Sequence, residues 1–293
     1  MNIWLMAARP RTLPAAVAPV LVGTAAAVEA TRDFRAGAFA AALIGSIFIQ
    51  IGTNLANDHS DAKRGADSVD RLGPVRVTAA GLVTPRRVLT ATWIAFAVAI
   101  AAGAYLAVVA GPVILAVGVV SILAGVLYTG GPRPYGYAGL GEAFVFLFFG
   151  LVAVNGSYFV QVERLDWLPF ALSIPVGLLA TAILVVNNLR DIETDRRVGK
   201  RTLAVRLGRE RTRTLYVAMI AGAYVSLLAG LVAAGGPGWA ALALLSLAVA
   251  GRPLGAVRTR SDGPSLNAAL AQTGMLLGVF SALLSAGLLI ALA

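Results

Sequence analysis

The chain alternates between long apolar runs and short polar or charged breaks along its whole length. Most runs approach the roughly 20 residues that a helix needs to cross the hydrocarbon core of a membrane. The runs fall at residues 13–28, 37–56, 88–110, 112–129, 140–161, 167–189, 214–234, 237–251 and 266–292. The pattern predicts an all-α bundle of nine transmembrane helices that forms one domain over residues 1–293.

Composition supports an integral membrane protein. Of the 293 residues, 58% are hydrophobic and 13% are charged, and the mean hydropathy is +0.82. A soluble domain with so few charges could not cover its surface. The absence of cysteine and the single histidine, His59, exclude disulfides, thiolate metal sites and multi-histidine metal sites. The first apolar stretch lacks a distinct cleavage region, so we expect a retained N-terminus and no signal peptide.

The charges predict an orientation. The chain carries 24 Lys and Arg against 14 Asp and Glu, a net charge of +10. If the N-terminus is cytoplasmic, 21 of the 24 basic residues fall on the cytoplasmic side, and only Arg32, Arg35 and Arg164 fall outside. The positive-inside rule therefore predicts a cytoplasmic N-terminus and an external C-terminus. High use of Ala, Val, Arg and Gly is typical of a GC-rich bacterial genome, so we expect the bacterial inner membrane.

Two breaks, residues 57–87 and 190–213, are too long and too charged to be simple connectors. Related aspartate motifs, within 54–67 and 187–201, lie at the cytoplasmic ends of apolar runs. The first motif reads Asn54-x3-Asp58-x2-Asp61, and the second reads Asn187-x3-Asp191-x3-Asp195. Helical periodicity places each set on one helix face, so we expect two rows of oxygen ligands that face each other.

These rows need a cationic partner, because carboxylates near a bilayer repel one another and are costly to desolvate. Carboxylate and amide oxygens without Cys or His suit Mg²⁺, which binds one or two protein carboxylates together with substrate phosphates. The neighbouring Lys and Arg side chains suit the remaining phosphate charge. The sequence therefore predicts a Mg²⁺-dependent diphosphate pocket at the cytoplasmic face.

A diphosphate at the end of an apolar bundle indicates a lipid substrate, such as a polyprenyl diphosphate. Its tail could lie along apolar residues such as Phe144, Phe146, Phe148 and Phe149. As the diphosphate departs, positive charge develops on the allylic carbon, and an electron-rich acceptor captures that carbon. This reaction needs no protein nucleophile, in agreement with a chain that has neither Cys nor a Ser/His/Asp arrangement.

Four stretches, in order, carry a family resemblance: residues 8–14, 57–67, 128–142 and 191–208. They resemble the UbiA-type intramembrane prenyltransferase superfamily and, within it, are most similar to the 1,4-dihydroxy-2-naphthoate polyprenyltransferases of menaquinone synthesis. The resemblance implies nine helices and a cytoplasmic active site. It also implies that a polyprenyl group replaces the carboxylate of 1,4-dihydroxy-2-naphthoate, with loss of CO₂ and diphosphate, to give demethylmenaquinol.

The resemblance also implies roles for particular residues. The Mg²⁺ ligands would be Asn54, Asp58, Asp61, Asn187, Asp191 and Asp195. Diphosphate contacts would come from Lys63, Arg71, Arg76, Arg133 and Lys200. Tyr128 matches a tyrosine near the reacting carbon, and Arg9, Arg11 and Thr12 are candidates to contact the acceptor. The superfamily often has a third aspartate where this chain has Gly65, so the roles of nearby Asp67 and of His59 stay open.

Two alternatives remain open. The same chemistry could act on another aromatic acceptor, of the 4-hydroxybenzoate or homogentisate type. An ion-coupled transporter is the second alternative, because internal repeats with intramembrane carboxylates mark transporters. The acidic residues lie at one face beside dense arginine, which disfavours a cation pathway. We expect no nucleic-acid partner, since the basic residues alternate with carboxylates at a membrane face.

Overall fold

A computed structural model describes residues 2–65 and 72–292. The described residues form helices joined by short connections, with no β-strand among them. The α-helices are α1 (Ile3–Ala8), α2 (Pro14–Thr31), α3 (Ala36–Lys63), α4 (Pro85–Ala110), α5 (Val113–Leu127), α6 (Gly141–Val145), α7 (Ala153–Val162), α8 (Trp167–Arg190), α9 (Ile192–Arg197), α10 (Leu203–Leu207), α11 (Arg209–Ala234), α12 (Leu247–Thr259) and α13 (Gly263–Ile290).

Eight helical segments in the described ranges are long and apolar enough to cross a membrane. They are Pro14–Thr31, Ala36–Lys63, Pro85–Ala110, Gly141–Val162, Trp167–Arg190, Arg209–Ala234, Gly238–Thr259 and Gly263–Ile290. The remaining predicted run, 112–129, coincides with α5, an apolar helix of 15 residues that is shorter than these eight segments. The all-helical membrane fold is thus confirmed, and each predicted apolar run corresponds to a helical segment.

Helix α8 forms the centre of the bundle. It packs against α2, α7, α11 and α13, and 72% of its apolar window is buried inside the protein. Its side chains Leu172, Val176, Leu179 and Val186 belong to the main apolar core and are fully buried. By contrast, Val108 of α4 is 88% exposed, as expected for a lipid-facing side chain. Helix α8 therefore brings the second aspartate motif into the protein interior.

The two aspartate motifs have different backbones. Helix α3 continues to Lys63, beyond the end of its apolar run at residue 56, so the first motif lies within one helix. Helix α8 ends at Arg190, and Asp191 has a non-helical conformation (φ −94°, ψ 7°) before α9 begins at Ile192. Asp191 and Asp195 thus lie on either side of the start of a new short helix.

The segment between α6 and α7 is a π-helix, Phe146–Val152. Here the chain passes very close to α8: a Cβ atom added at Gly150 would lie only 2.7 Å from the Cα atom of Gly177. Glycines allow two helix backbones to approach in this way inside a membrane, and π-helical turns occur frequently at functional sites. This close contact fixes the segment that carries Phe148 and Phe149.

Candidate active site

A cavity of about 320 Å³ lies between α3, α4, α5, the α6–α7 segment and α8. These helices alternate in direction, so residues from the ends that bear the aspartate motifs meet at one end of the cavity. We call this the polar end; it is lined by Arg9, Thr12, Asn54, Asn57, Asp61, Arg76, Tyr128, Asn187, Asp191 and Lys200. The cavity thus unites side chains from both aspartate motifs.

The other end of the cavity, which we call the apolar end, extends between the membrane-spanning helices. Its lining includes Leu106, Ile114, Val117, Gly156 and Val160. Leu106, Ile114 and Val160 also belong to a small buried apolar cluster at this end. From Phe144 to Val160 the lining follows one helical segment over 16 residue steps, roughly 24 Å at 1.5 Å per step. The cavity is therefore elongated, and its charged lining residues all lie at the polar end.

Aromatic rings connect the two ends. The Tyr128 and Tyr135 rings meet edge to face with centroids 5.4 Å apart, and Tyr135 stacks on Phe144 at 3.9 Å. The rings of Phe144 and Phe148 come next, stacked with their centroids 6.1 Å apart. Three of the four phenylalanines that we expected beside a prenyl tail, Phe144, Phe148 and Phe149, line the cavity. The fourth, Phe146, packs toward Gly177 of α8.

In the first motif, Asp58 is directed away from the cavity and holds a loop. Its carboxylate accepts backbone N–H bonds from Val77 at 3.1 Å and from Thr78 at 3.0 Å, and the residue is 2% exposed. Asn54 lines the cavity, but its amide donates to the carbonyl of Ala8 at 3.0 Å. Both side chains therefore fasten flanking segments against α3.

Asn57 and Asp61 lie four residues apart on α3, and both also line the cavity. The amide oxygen of Asn57 accepts a hydrogen bond from Thr129 at 2.9 Å. The carboxylate of Asp61 accepts from the Tyr137 hydroxyl at 3.0 Å and lies 3.5 Å from Arg76. Our sequence analysis did not select Asn57, although Asn57-x3-Asp61 repeats the spacing of Asn187-x3-Asp191 and was the available signal.

In the second motif, Asn187 and Asp191 line the cavity, and a buried arginine holds both. Arg190 donates to the two carboxylate oxygens of Asp191 at 2.8 and 2.6 Å and to the Asn187 amide oxygen at 2.9 Å. Its remaining nitrogen donates to Asn267 of α13 at 2.6 Å. Arg190 is 1% exposed, and the sequence analysis assigned it no role.

Asp195 belongs to the second motif but does not line the cavity. Its carboxylate lies 3.7 Å from the ammonium group of Lys200, which is at the polar end. The Asp195 backbone N–H donates to the carbonyl of Asp191 at 2.8 Å, and its carbonyl accepts from Lys200 N–H at 2.9 Å. Asp195 therefore fixes the turn that presents Lys200 to the cavity.

The predicted cationic residues divide into three groups. Arg9, Arg76 and Lys200 line the polar end. Arg11, Lys63 and Arg133 are exposed and lie outside the cavity lining. Arg71 and Asp67 lie outside the described residues, so their predicted roles stay predictions. His59, whose role the sequence leaves open, lies within α3 and does not line the cavity.

The polar end has the donor chemistry of a magnesium site that is completed by substrate. Within residues 2–65 and 72–292, no three Asp, Glu or His side chains converge on a ready-made metal cage. Mg²⁺ commonly uses one or two protein carboxylates, with water and phosphate oxygens for the rest. Asp61 and Asp191, with the amide oxygens of Asn57 and Asn187, supply such a set across one cavity. The residues present therefore fit the ion in donor type.

Comparisons with known proteins show which family the chain resembles. The model of the UbiA prenyltransferase family matches residues 16–277. The chain is 45% identical over 280 residues to the 1,4-dihydroxy-2-naphthoate octaprenyltransferase of Mycobacterium tuberculosis, covering 95% of this chain and 94% of the relative. It is 42% identical over 233 residues to the Escherichia coli protein with the same name, covering 76% and 74% of the two chains.

Solved structures share the fold. A UbiA homolog from Archaeoglobus fulgidus, bound to GPP and Mg²⁺, superposes with a TM-score of 0.66 at 14% identity, over 97% of this chain and 100% of the other. A UbiA homolog from Aeropyrum pernix superposes with a TM-score of 0.68 at 18% identity, over the full length of both chains. With the family model matching most of its length, the chain belongs to the UbiA prenyltransferase family.

Proposed function

We propose that this protein transfers a polyprenyl group from polyprenyl diphosphate to 1,4-dihydroxy-2-naphthoate, with loss of CO₂ and diphosphate. The observation that carries the proposal is the single elongated cavity. Its polar end combines Asp61 and Asp191 with Arg76 and Lys200, and its apolar end accepts a hydrocarbon chain. A diphosphate-headed lipid matches both ends, whereas a cation pathway would need polar groups along the whole cavity.

The proposed diphosphate contacts are Arg76 and Lys200. Both line the polar end, and each lies near a carboxylate, so their positions are held before substrate arrives. Asp61 and Asp191 would hold Mg²⁺ at the polar end, where the ion would supply positive charge to offset the negative charge of the leaving diphosphate. Among the six predicted ligands, Asp58 and Asp195 lie outside the cavity lining, so we propose that they position loops.

The aromatic rings are placed to stabilise positive charge. Tyr128 lies at the polar end, and its ring begins the aromatic series that Tyr135 and Phe144 continue. The face of an aromatic ring attracts cations, so this series suits an allylic carbon as its diphosphate leaves. We propose that Tyr128 contacts the reacting carbon.

We propose that Arg9 and Thr12 contact the acceptor. Arg9 lines the polar end and adopts a left-handed conformation (φ 55°) between α1 and the turn at Pro10–Thr12. The Thr12 hydroxyl lies 3.3 Å from the amide nitrogen of Gln50, and it lines the same cavity. A guanidinium and a hydroxyl in the same cavity lining match the carboxylate and phenol of 1,4-dihydroxy-2-naphthoate. The names of the relatives from M. tuberculosis and E. coli support this acceptor over 4-hydroxybenzoate or homogentisate.

The proposed topology has nine crossings with a cytoplasmic polar end in the bacterial inner membrane. Helix α5 follows α4 after only Gly111 and Pro112, and its C-terminal end reaches the polar end of the cavity at Tyr128. We therefore count α5 as a crossing despite its 15 residues. With nine crossings, 21 of the 24 basic residues lie on the side of the polar end, which supports its cytoplasmic location.

Prenyl transfer in membranes tests the proposed function. Membranes that contain the protein should transfer a radiolabelled prenyl group to 1,4-dihydroxy-2-naphthoate in the presence of Mg²⁺ and lose this activity in EDTA. Competition with 4-hydroxybenzoate and homogentisate tests the acceptor, and the product mass reports acceptor and chain length together. Transfer that persists in EDTA would contradict the metal-dependent mechanism, and preference for a competitor would contradict the acceptor.

The proposed tail site predicts a change in chain-length preference for Gly156→Leu. Gly156 lines the apolar end, and an added Cβ would meet no atom within 4 Å. We expect kcat/KM for long prenyl diphosphates to fall by roughly tenfold or more relative to a two-unit donor. Gly278→Leu is the matched control, since Gly278 also has open space but does not line the cavity. Equal losses with short and long donors would contradict this assignment of the tail site.

A further inference from the structure

Tyr137 connects the two aspartate motifs, although the sequence analysis gave it no role. It lies in the 3-10 turn Tyr135–Ala138, between α5 and α6. Its hydroxyl donates to Asp61 of α3 at 3.0 Å, and its carbonyl accepts from Arg201 N–H at 3.1 Å. One residue thus contacts the end of α3 and the connection between α9 and α10.

The hydroxyl of Tyr137 restrains the carboxylate of Asp61. It bonds Oδ1, while Oδ2 lies 3.5 Å from Arg76. The hydroxyl is the donor in this bond, because an ionised carboxylate oxygen can only accept. A hydrogen bond to one oxygen of a carboxylate fixes the direction of the other, as the outer partners of metal ligands do.

The ring of Tyr137 contacts two cations. The Lys200 ammonium group lies 5.2 Å from the ring centroid, and the guanidinium carbon of Arg64 lies 5.6 Å from it. Lysine has a long flexible side chain, so contact with an aromatic face reduces the positions that its ammonium group can take. Because Lys200 lines the polar end, the ring helps to hold this cation at the cavity wall.

We propose that Tyr137 is a positioning residue that acts through two independent parts of its side chain. The hydroxyl orients Asp61 toward the metal, and the ring holds Lys200 toward the diphosphate. This inference rests on the proposed function, since it assigns Asp61 and Lys200 to Mg²⁺ and diphosphate. It extends that proposal by naming the residue that fixes the two motifs relative to each other.

Two substitutions separate the two parts. Tyr137→Phe removes the hydroxyl and keeps the ring, whereas Tyr137→Leu removes both. Binding of inorganic diphosphate to the purified full-length protein in detergent is measured by calorimetry, in EDTA and across a Mg²⁺ titration, and transfer rates are measured in parallel. Tyr224→Phe is the matched control, because it removes another buried hydroxyl, bonded to Ser246 at 2.7 Å, that does not line the cavity.

For Tyr137→Phe, we expect the Mg²⁺ concentration that half-saturates diphosphate binding to rise about tenfold, as for loss of an outer-sphere partner of a metal ligand. Diphosphate binding in EDTA should stay unchanged in this variant. Tyr137→Leu should show the same Mg²⁺ effect and, in addition, weaken binding in EDTA about threefold. Tyr224→Phe should change neither quantity.

The outcomes separate this inference from the proposed function. If Tyr137→Phe binds Mg²⁺ and diphosphate as the unsubstituted protein does, the orienting role of the hydroxyl is wrong while the proposed function stands. If Tyr137→Leu equals Tyr137→Phe in EDTA, the role of the ring is wrong. If the unsubstituted protein neither binds diphosphate nor transfers a prenyl group, the proposed function itself fails.

Discussion

Asp61→Asn is expected to lower prenyl transfer by roughly 10²- to 10³-fold, a loss similar to that caused by removing a group that stabilises transition-state charge. Asparagine has the same shape, and its amide oxygen can still accept from Tyr137. The substitution removes only the negative charge that lies 3.5 Å from Arg76 and faces the cavity. We therefore expect the fold to persist while the Mg²⁺ requirement for diphosphate binding rises.

The matched substitution is Asp58→Asn, three residues earlier on the same helix. The two carboxylate oxygens of Asp58 accept backbone N–H bonds from Val77 and Thr78. The side chain of asparagine has only one acceptor oxygen, so one of these two bonds is lost. We expect a loss of about 1–3 kcal/mol in the free energy of unfolding and a smaller loss of activity than in Asp61→Asn. The measurements are initial rates against prenyl diphosphate and Mg²⁺, together with thermal unfolding.

The comparison decides which aspartate of the first motif serves the cation. A large loss of activity in Asp58→Asn at full stability would support Asp58 as a metal ligand, as expected from the sequence, and an active Asp61→Asn would remove Asp61 from the proposed site. Loss of activity in Asp61→Asn alone would support Asn57 and Asp61 as the cavity-facing pair.

Arg190→Met is expected to destabilise the protein by about 3–5 kcal/mol, because it leaves the Asp191 carboxylate buried without its cation. The ion pair is 2.6 Å long, and its side chains are 1% and 7% exposed. The substitution also removes the hydrogen bonds to Asn187 and Asn267. Since Asn267 in turn donates to the carbonyl of Leu72 at 2.8 Å, the effect should extend to the connection after the first motif.

Unfolding of the purified protein by a denaturing detergent measures this effect. Arg196→Met is the control, since Arg196 pairs with Glu193 at 3.3 Å on the surface, where both side chains are more than half exposed. Such pairs contribute little, so we expect a change below about 1 kcal/mol. The double variant Arg190→Met/Asp191→Asn should recover part of the lost stability, because it removes both charges. Equal stability of Arg190→Met and Arg196→Met would contradict the structural role of Arg190.

Part of the site was predictable because its polar side chains recur at the spacing of one helix face. Asn187 and Asp191 were expected on one face, and the structure places both in the cavity lining. The same periodicity could not choose within the first motif, since Asn54–Asp58 and Asn57–Asp61 are both pairs four residues apart on one helix. Only the packing of α3 against its neighbours directs Asn57 and Asp61 into the cavity.

Long-range partners explain what the sequence analysis missed. Arg190 contacts Asn267 of α13, and Tyr137 contacts Asp61 of α3, across 77 and 76 positions of the chain. No local pattern links such residues. Conversely, Lys63 and Arg133 are close in sequence to cavity residues, yet both side chains are exposed. A prediction from closeness in sequence therefore placed more cationic residues at the cavity than the structure does.

The sequence by itself determined the membrane-embedded helical fold, the two aspartate motifs and the family, because apolar run length and motif spacing are local properties of the chain. The tertiary structure alone decided which oxygens share a cavity, which cations are held beside them, and that Arg190 and Tyr137 fix the two motifs. These features depend on how helices distant in sequence pack together, since the packing sets the direction of each side chain and the burial of each charge.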